Sequence, residues 1–448
     1  MTAEPAVSRP GTADFGEELA CGRLRGDRST GKPAMNRPLS LDGQLDVLRL
    51  REDFPILATR VHGQPLVYLD NAASAQKPKS VVERMVAATY HEYANVHRGL
   101  HYLANAATEA YEAARESVRA FLNAGAPDEI IFTKSSTEAI NLVAASFGEA
   151  FIEAGDEIVL SVLEHHANIV PWHFLRKRKG AVLKWVDVDD EGNFLIEAFE
   201  RTLTDRTKIV ALTHMSNVLG TVTPVKEIAA IAHARGIPVL IDGSQGAVHC
   251  PVDVRDLDVD FYCLTGHKLY GPTGIGALYG KREWLERLPP FLGGGEMIEE
   301  VTLENVTYTV PPYRFEAGTP PIVQAIGLAA ALDYMKLVGL SRIRAHEKAL
   351  SVYAHERLSA LPSLQIHGRA RNKGAIVSFN MKGIHPHDLS TLLDRRGIAI
   401  RAGTHCAQPL LARFGTTASC RASFALYNLF DEIDKLAEAL TKARELFS

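Results

Sequence analysis

The chain has 448 residues, too many for one ordinary hydrophobic core, which points to two large domains or about three smaller ones. At 46% hydrophobic and 23% charged residues it reads as a folded globular protein and not a disordered one. Its net charge of -4 gives no long-range attraction for nucleic acid or an anionic membrane, and no apolar run approaches the ~18 residues of a membrane helix.

Residues 1–42 mix small, charged, Pro and Gly residues without an apolar period, so a disordered tail is expected there. The composition shift at Met35 suggests a physiological start at that methionine. Residues 43–60 are expected to pack with a smaller C-terminal domain. A large domain is expected over 61–335 and the small one over 336–448. Through the large domain, short apolar runs at 129–133, 157–162, 181–186, 208–213, 237–242, 260–264 and 275–279 read as strands covered on both faces. Helical patterns lie between several of them. Ser135 and Glu138 stand at capping-box spacing, and Pro224 and Gly236 bracket another helix. The fold class is therefore α/β, with a mainly parallel sheet that binds ligands at the carboxyl ends of its strands. After about Pro320 the pattern becomes long helices at 322–338 and 342–358. Strands follow at 374–380, 397–402 and 421–425, with a final helix at 431–446, as in a small α+β domain.

The run Thr265-Gly-His-Lys268 ends one of these strands and opens a glycine-rich loop. A phosphate-binding Walker loop needs Ser or Thr after the lysine, and Leu269 stands there. Gly274-Ile-Gly276 enters a strand where a dinucleotide fingerprint enters a helix. Other strand ends give the lysine a context. Asp242 is a carboxylate suited to a cationic ring nitrogen, with Gln245 in the next turn. His165 is a flat titratable ring, and Thr137 opens a capped helix whose free N–H groups favour a phosphate. These are the parts needed for pyridoxal phosphate, with Lys268 bonded to its aldehyde.

From about Leu45 onward the chain resembles a fold-type I pyridoxal-phosphate enzyme of the class V aminotransferase superfamily. More narrowly it resembles the SufS-like, group II cysteine desulfurases. The matching stretches run in family order and include Y-L-D-N-A-A-S, V-H-R-G-L-H, E-H-H-A-N-I-V-P-W, T-G-H-K-L-Y-G-P-T-G-I-G, R-F-E-A-G-T-P and R-A-G-T-H-C-A-Q-P-L. Thr265 replaces a frequent Ser, and Ser135-Ser136 a frequent Gly-Thr. The resemblance implies that Lys268 carries the cofactor. Asp242 and Gln245 would contact its ring nitrogen and hydroxyl, His165 would stack on the ring, and Thr137, Thr265 and His267 would bind its phosphate. Asn217 would lie beside cofactor and substrate. Thr319 would reach the phosphate in a partner subunit, which makes the active unit a homodimer. Arg421 would clamp the substrate carboxylate, with His97, Arg98 and Arg401 near the substrate.

Four of the five cysteines carry no chemical argument: Cys21 lies in the tail, Cys250 and Cys263 sit beside or within strand patterns, and Cys420 precedes Arg421. No CxxC pair occurs, which fits a reducing, cytoplasmic setting. Cys406 matches the family's nucleophile. It would take sulfur from L-cysteine as a persulfide and leave L-alanine, for transfer to a SufE-like or SufU-like acceptor protein, with iron–sulfur cluster assembly as the destination. His405 is adjacent, but neighbouring side chains on an extended chain point apart, which disfavours it as the base for the thiol. His165 could also act on the substrate thiol. The His97/His101, His165/His166 and His385/His387 pairs have no complete ligand set, so no metal is expected. Two other readings remain open: a selenocysteine lyase, and a non-catalytic sulfur-relay scaffold that docks a carrier.

Overall fold

The structure is a computed structural model and describes residues 40–41 and 44–446. The expected tail and the start at Met35 lie outside the described residues, except that Ser40–Leu41 pairs antiparallel with Gln44–Leu45.

The central sheet has seven strands: β1 (Ile130–Thr133), β2 (Glu157–Ser161), β3 (Val182–Val186), β4 (Thr207–Thr213), β5 (Val239–Asp242), β6 (Phe261–Thr265) and β7 (Gly276–Gly280). Their spatial order is β1-β7-β6-β5-β4-β2-β3. Every neighbouring pair is parallel except those made by β7, which runs antiparallel to β6 and β1. Each apolar run in the sequence therefore becomes a strand, shifted by a residue or two. Every residue of β1, β5, β6 and β7 is buried, because helices cover both faces. Since β1, β2, β4, β5 and β6 point the same way, their carboxyl ends share one edge. Thr133, Ser161, Thr213, Asp242 and Thr265 end up side by side there.

Gly276 makes that edge compact. A Cβ at this position would stand 2.7 Å from the Leu264 carbonyl oxygen and 2.7 Å from the Ser135 carbonyl carbon. Only a hydrogen fits, so β7 presses against the loop that starts the next helix. Helices α1 (Lys79–His91) and α2 (Tyr102–Leu122) pack on α4 (Ile322–Val338), while α3 (Ser136–Phe151) follows β1. The Ser135 hydroxyl caps α3 by accepting from the Glu138 N–H at 3.3 Å. The Glu138 carboxylate reaches back to the Lys134 N–H at 2.6 Å, one residue beyond the cap. A plain capping box would have returned to Ser135 itself.

After α5 (Leu340–Ser359), a second sheet forms from β8 (Leu364–His367), β9 (Ile376–Met381), β10 (Arg401–Gly403) and β11 (Ser419–Ser423), in the order β8-β9-β11-β10 and antiparallel throughout. Helices α6 (Pro386–Asp394) and α7 (Phe430–Glu445) complete this part. The run expected as one strand at 397–402 divides. Ile398–Ala399 pairs with Val67–Tyr68, and Arg401–Gly403 pairs with β11. Two partners on different sides compete for one short apolar stretch, and each takes half. Val67 and Leu69 thereby join the apolar core of Leu350, Phe379 and Leu436. Arg51 ties the early helical turn to the C-terminal part through the Tyr427 carbonyl at 2.7 Å and Glu432 at 3.0 Å. No single helix among the described residues is long and apolar enough to cross a membrane.

Candidate active site

A cavity of about 210 Å³ opens at the carboxyl edge of the central sheet. Asp242 enters it from the end of β5, with Gln245 from the following turn. Thr265 enters from the end of β6, with His267 and Lys268 from the next helical turn. His165 comes from the turn after β2, Asn217 from the turn after β4, and Thr137 from the first turn of α3. Arg401 and Arg421 close the cavity from the small sheet. Ten of the residues named from sequence therefore share one pocket.

The electrostatics suit a bound anion with a cationic ring. Burial lowers the Lys268 ammonium to about 8, with help from Arg421 and Arg401 and against the pull of Asp242. No hydrogen bond or ion pair holds that ammonium among the described residues. Asp242 is held in place because its Oδ1 accepts from the Ser244 N–H at 2.9 Å and the Ser244 hydroxyl at 2.6 Å. Gln245 is fixed by donating from Nε2 to the Ala72 carbonyl at 2.8 Å. The His165 ring is turned by its Nδ1, which accepts the Ala167 N–H at 3.1 Å. Burial and the Lys268 charge lower it to about 4, so at neutral pH it is an uncharged ring with its proton on Nε2. Burial, then Lys268 and Lys77, lower His267 to about 4 as well.

Several buried polar atoms on the cavity wall have no partner: Ser136 Oγ, Thr265 Oγ1, Asn217 Oδ1, His405 Nδ1 and Arg421 Nε. Orphaned buried polar atoms are costly in a native fold unless a ligand or water satisfies them. Ser136 and Thr265 stand beside Thr137 at the start of α3, where free N–H groups favour a phosphate. The donor set, the Asp242 carboxylate and the unpaired Lys268 amine together fit pyridoxal phosphate.

Strand register explains the cationic wall. Arg401 on β10 stands directly opposite Arg421 on β11. Like charges in that position repel, so a substrate carboxylate between them would be welcome. Arg421 is buried and already placed: Nη1 donates to the Asn217 carbonyl at 2.9 Å and Nη2 to Asp70 at 3.0 Å. Its Nε and remaining N–H groups are left for a ligand. The acidic side chain of Asp70 fixes this guanidinium, a role that nothing in its local sequence marks. Glu164 has a role with no local sequence signal either. It is fully buried, accepts from Ser161, Asn168 and the Thr213 N–H, and so ties the ends of β2 and β4 to the His165 turn. Burial, with the Asp242 charge adding to it, raises its carboxyl to about 8.

Cys406 is half-buried on a turn next to the cavity, to which His405 contributes a wall. The turn expected after the strand is present, but the pair is not the extended chain on which neighbouring side chains point apart: His405 and Cys406 have φ of 52° and 55°. Two successive non-glycine residues in the left-handed region are strained and persist only where surrounding contacts enforce them. Those contacts come from the pocket. Asn217 donates to the His405 carbonyl at 2.8 Å, and the His166 N–H donates to the Cys406 carbonyl at 2.7 Å. His405 Nε2 bonds to Ser419 at 2.9 Å, and burial, Arg421 and Arg401 lower its ring to about 3. That leaves an uncharged imidazole beside the thiol and argues against a charged His405 as its activator.

Four predicted residues do not line this cavity: Cys406, which stands beside it, and Thr319, His97 and Arg98, which lie elsewhere. Thr319 is exposed and lines a neighbouring one with Gly274 and Phe291. His97 pairs with Glu112 at 2.9 Å and packs edge-on to Tyr111 and Tyr313. Arg98 pairs with Glu296 at 2.7 Å, beside the triple-glycine loop.

Residues 67–436 match the family pattern of aminotransferase class-V. A cysteine desulfurase of Synechococcus elongatus is 50% identical over 89% of this chain, which spans 63% of that protein. A probable cysteine desulfurase of Halalkalibacterium halodurans is 49% identical over 89% of this chain and 98% of its own length. The crystal structure of the cysteine desulfurase CsdA from Escherichia coli, in an S-sulfonic acid form, superposes with a TM-score of 0.84 at 40% identity, covering 90% of this chain and all of that one. With the family pattern matched over residues 67–436, this chain belongs to the class-V aminotransferase family.

Proposed function

We infer that the protein is a pyridoxal-phosphate-dependent cysteine desulfurase that converts L-cysteine to L-alanine and keeps the sulfur on Cys406 as a persulfide. The observation that carries this reading is one pocket holding Lys268, Asp242 and the Arg401–Arg421 pair, with the Cys406 turn pinned to its wall by Asn217 and His166. When bound, pyridoxal phosphate supplies an electron-withdrawing ring that accepts the electron pair released at the substrate α-carbon. Lys268 binds its aldehyde and then, as a neutral amine, moves the α-proton. Asp242, oriented by Ser244, holds a proton at the ring nitrogen. Uncharged His165 covers the ring face, and its proton on Nε2 is available as a hydrogen-bond donor. Gln245 meets the ring hydroxyl, Asn217 lies beside the substrate, and Ser136, Thr137, Thr265 and His267 hold the phosphate. Arg421 takes the substrate carboxylate with Arg401 opposite.

Thiolate Cys406 forms a bond to the substrate sulfur. The carbon–sulfur bond breaks with its electron pair left on carbon, and a proton completes alanine. The balance is cysteine plus thiol giving alanine plus persulfide. We read the chain as a homodimer in which Thr319 serves the partner's phosphate site and His97 and Arg98 line the partner's substrate entry. Exposed Thr319 and the fully exposed Leu100 and Leu303 support that reading. A half-buried persulfide needs a thiol acceptor. A SufE-like or SufU-like protein is the proposed partner, in the cytoplasm and with iron–sulfur cluster assembly as the destination.

The test is product balance. The holoprotein with L-cysteine and a thiol acceptor should give alanine and sulfane sulfur in equal amounts, and only one acceptor class should stimulate it. A far faster reaction with selenocysteine that ignores loss of Cys406 would make it a selenocysteine lyase. A colourless protein without turnover would make it a relay scaffold.

The lowered Lys268 amine has a kinetic signature. Only the neutral amine attacks an aldehyde, and the ordinary lysine value is 10.5 against about 8 here. Cofactor capture by the cofactor-free protein is therefore expected to speed up about tenfold per pH unit up to roughly pH 8 and then level off. Stopped-flow absorbance reads it. A rate still climbing tenfold per unit beyond pH 9 would show that the pocket does not lower this amine.

A further inference from the structure

Another cavity, of about 300 Å³, opens between α5 and the loop at 369–373. Lys348 and His355 face it from the helix, and Arg369, Arg371 and Lys373 from the loop. Only one carboxylate, Glu356, lines it. Among the described residues, none of the four Lys and Arg side chains forms an ion pair with Asp or Glu. The Lys373 ammonium reaches a single carbonyl, that of Gly368, at 3.0 Å. His355 Nε2 is buried and has no hydrogen-bond partner.

The loop cannot relieve this crowding by swinging away, because its backbone is tied down. Arg369 N–H donates to the Glu191 carbonyl at 2.7 Å and Gly374 N–H to the Gly220 carbonyl at 2.8 Å. Arg371 N–H donates to Asn193 at 3.3 Å. Like charges gathered around one cavity repel unless a counter-ion joins them. Their mutual effect is visible in Lys373, which burial and Arg369 lower to about 7, and in His355, which burial, Lys373 and Arg369 lower to about 3. His355 and Lys373 are half-buried in the cavity wall, while Lys348, Arg369 and Arg371 are exposed around it. Two guanidinium groups offer the planar forks that match phosphate oxygens, and the lysines add point charges.

We propose that this cavity is a binding site for the phosphate group of a small anionic molecule, formed by Arg369, Arg371, Lys373, His355 and Lys348. It is separate from the phosphate cup at the start of α3 and uses none of its residues.

Calorimetry on the holoprotein, whose active-site phosphate cup is filled, tests the proposal with inorganic phosphate and inorganic pyrophosphate as probes. Saturable binding of one molecule per chain is expected. It should weaken at least tenfold in Arg369→Ala/Arg371→Ala and in Lys373→Met, and persist in Arg369→Lys/Arg371→Lys. Arg395→Ala/Arg396→Ala, in a different basic groove, should bind as the unaltered protein does. Tighter binding of pyrophosphate assigns a diphosphate-bearing ligand, and equal binding assigns free phosphate. Absence of saturable binding, binding indifferent to the 369/371 pair, or binding lost instead with the 395/396 pair overturns the proposal. So does binding of polyglutamate with none of pyrophosphate, which would make the cavity a docking point for an acidic protein segment.

Discussion

Cys406→Ala is expected to leave a coloured, folded protein that binds L-cysteine and releases sulfur at least a thousandfold more slowly. The expectation rests on how the turn is held. The contacts that enforce the strained backbone at 405 and 406 run to main-chain carbonyls, from Asn217 and from the His166 N–H. Neither involves the sulfur, so removing it leaves the turn, the His405 wall and the cofactor residues in place. What goes is the nucleophile. A thiolate outcompetes any oxygen nucleophile in this pocket for a sulfur centre. Persulfide is read by alkylation and mass spectrometry after one turnover, and the cofactor by its absorbance near the visible edge. A transferable persulfide in the variant would move the nucleophile elsewhere. The buried thiols do not offer a substitute: burial pushes Cys250 and Cys420 up to about 12, and Cys263 well above the ordinary thiol value.

Much of this site was legible because its residues sit at ends of local patterns. Asp242 closes an apolar run, Thr265 closes another, and Lys268 opens a glycine-rich turn. A mainly parallel sheet must bring such ends to one edge. The helix start at Ser135 was legible for the same reason, although the carboxylate of Glu138 reached one residue further back than its spacing implied. What escaped were partnerships across long stretches of chain. Asp70 and Arg421 are 351 residues apart, and nothing local in either neighbourhood announces the pair. The Arg401–Arg421 facing depends on a strand register that periodicity does not fix. The left-handed backbone at His405 and Cys406 was missed because neither residue is a glycine and the enforcing contacts come from 217 and 166. Thr319, His97 and Arg98 lie outside this pocket, and only the proposed dimer would bring them to one.

Lys268→Ala is expected to abolish both the colour and the reaction, with a loss of about ten-thousandfold or more. Two roles vanish with one side chain, since the same amine binds the aldehyde and moves the α-proton. The fold should survive. Lys268 makes no hydrogen bond or ion pair that the pocket depends on, and burial alone already disfavours its charge, so truncation removes an unfavourable desolvation. Melting temperature should therefore hold or rise in the cofactor-free variant. Pyridoxal phosphate should still bind weakly, through Asp242 and the donors around the start of α3, but wash out on dialysis. Lys268→Arg separates charge from chemistry. The guanidinium keeps the positive charge, cannot deprotonate at working pH, and so cannot bind the aldehyde or carry the proton. It should be as inactive as the alanine variant. Borohydride followed by peptide mapping should label position 268 in the unaltered protein and nothing in either variant. A label at Lys77, the half-buried lysine that donates to the His267 carbonyl at 3.0 Å, or steady turnover in the arginine variant would remove Lys268 from the centre of the mechanism.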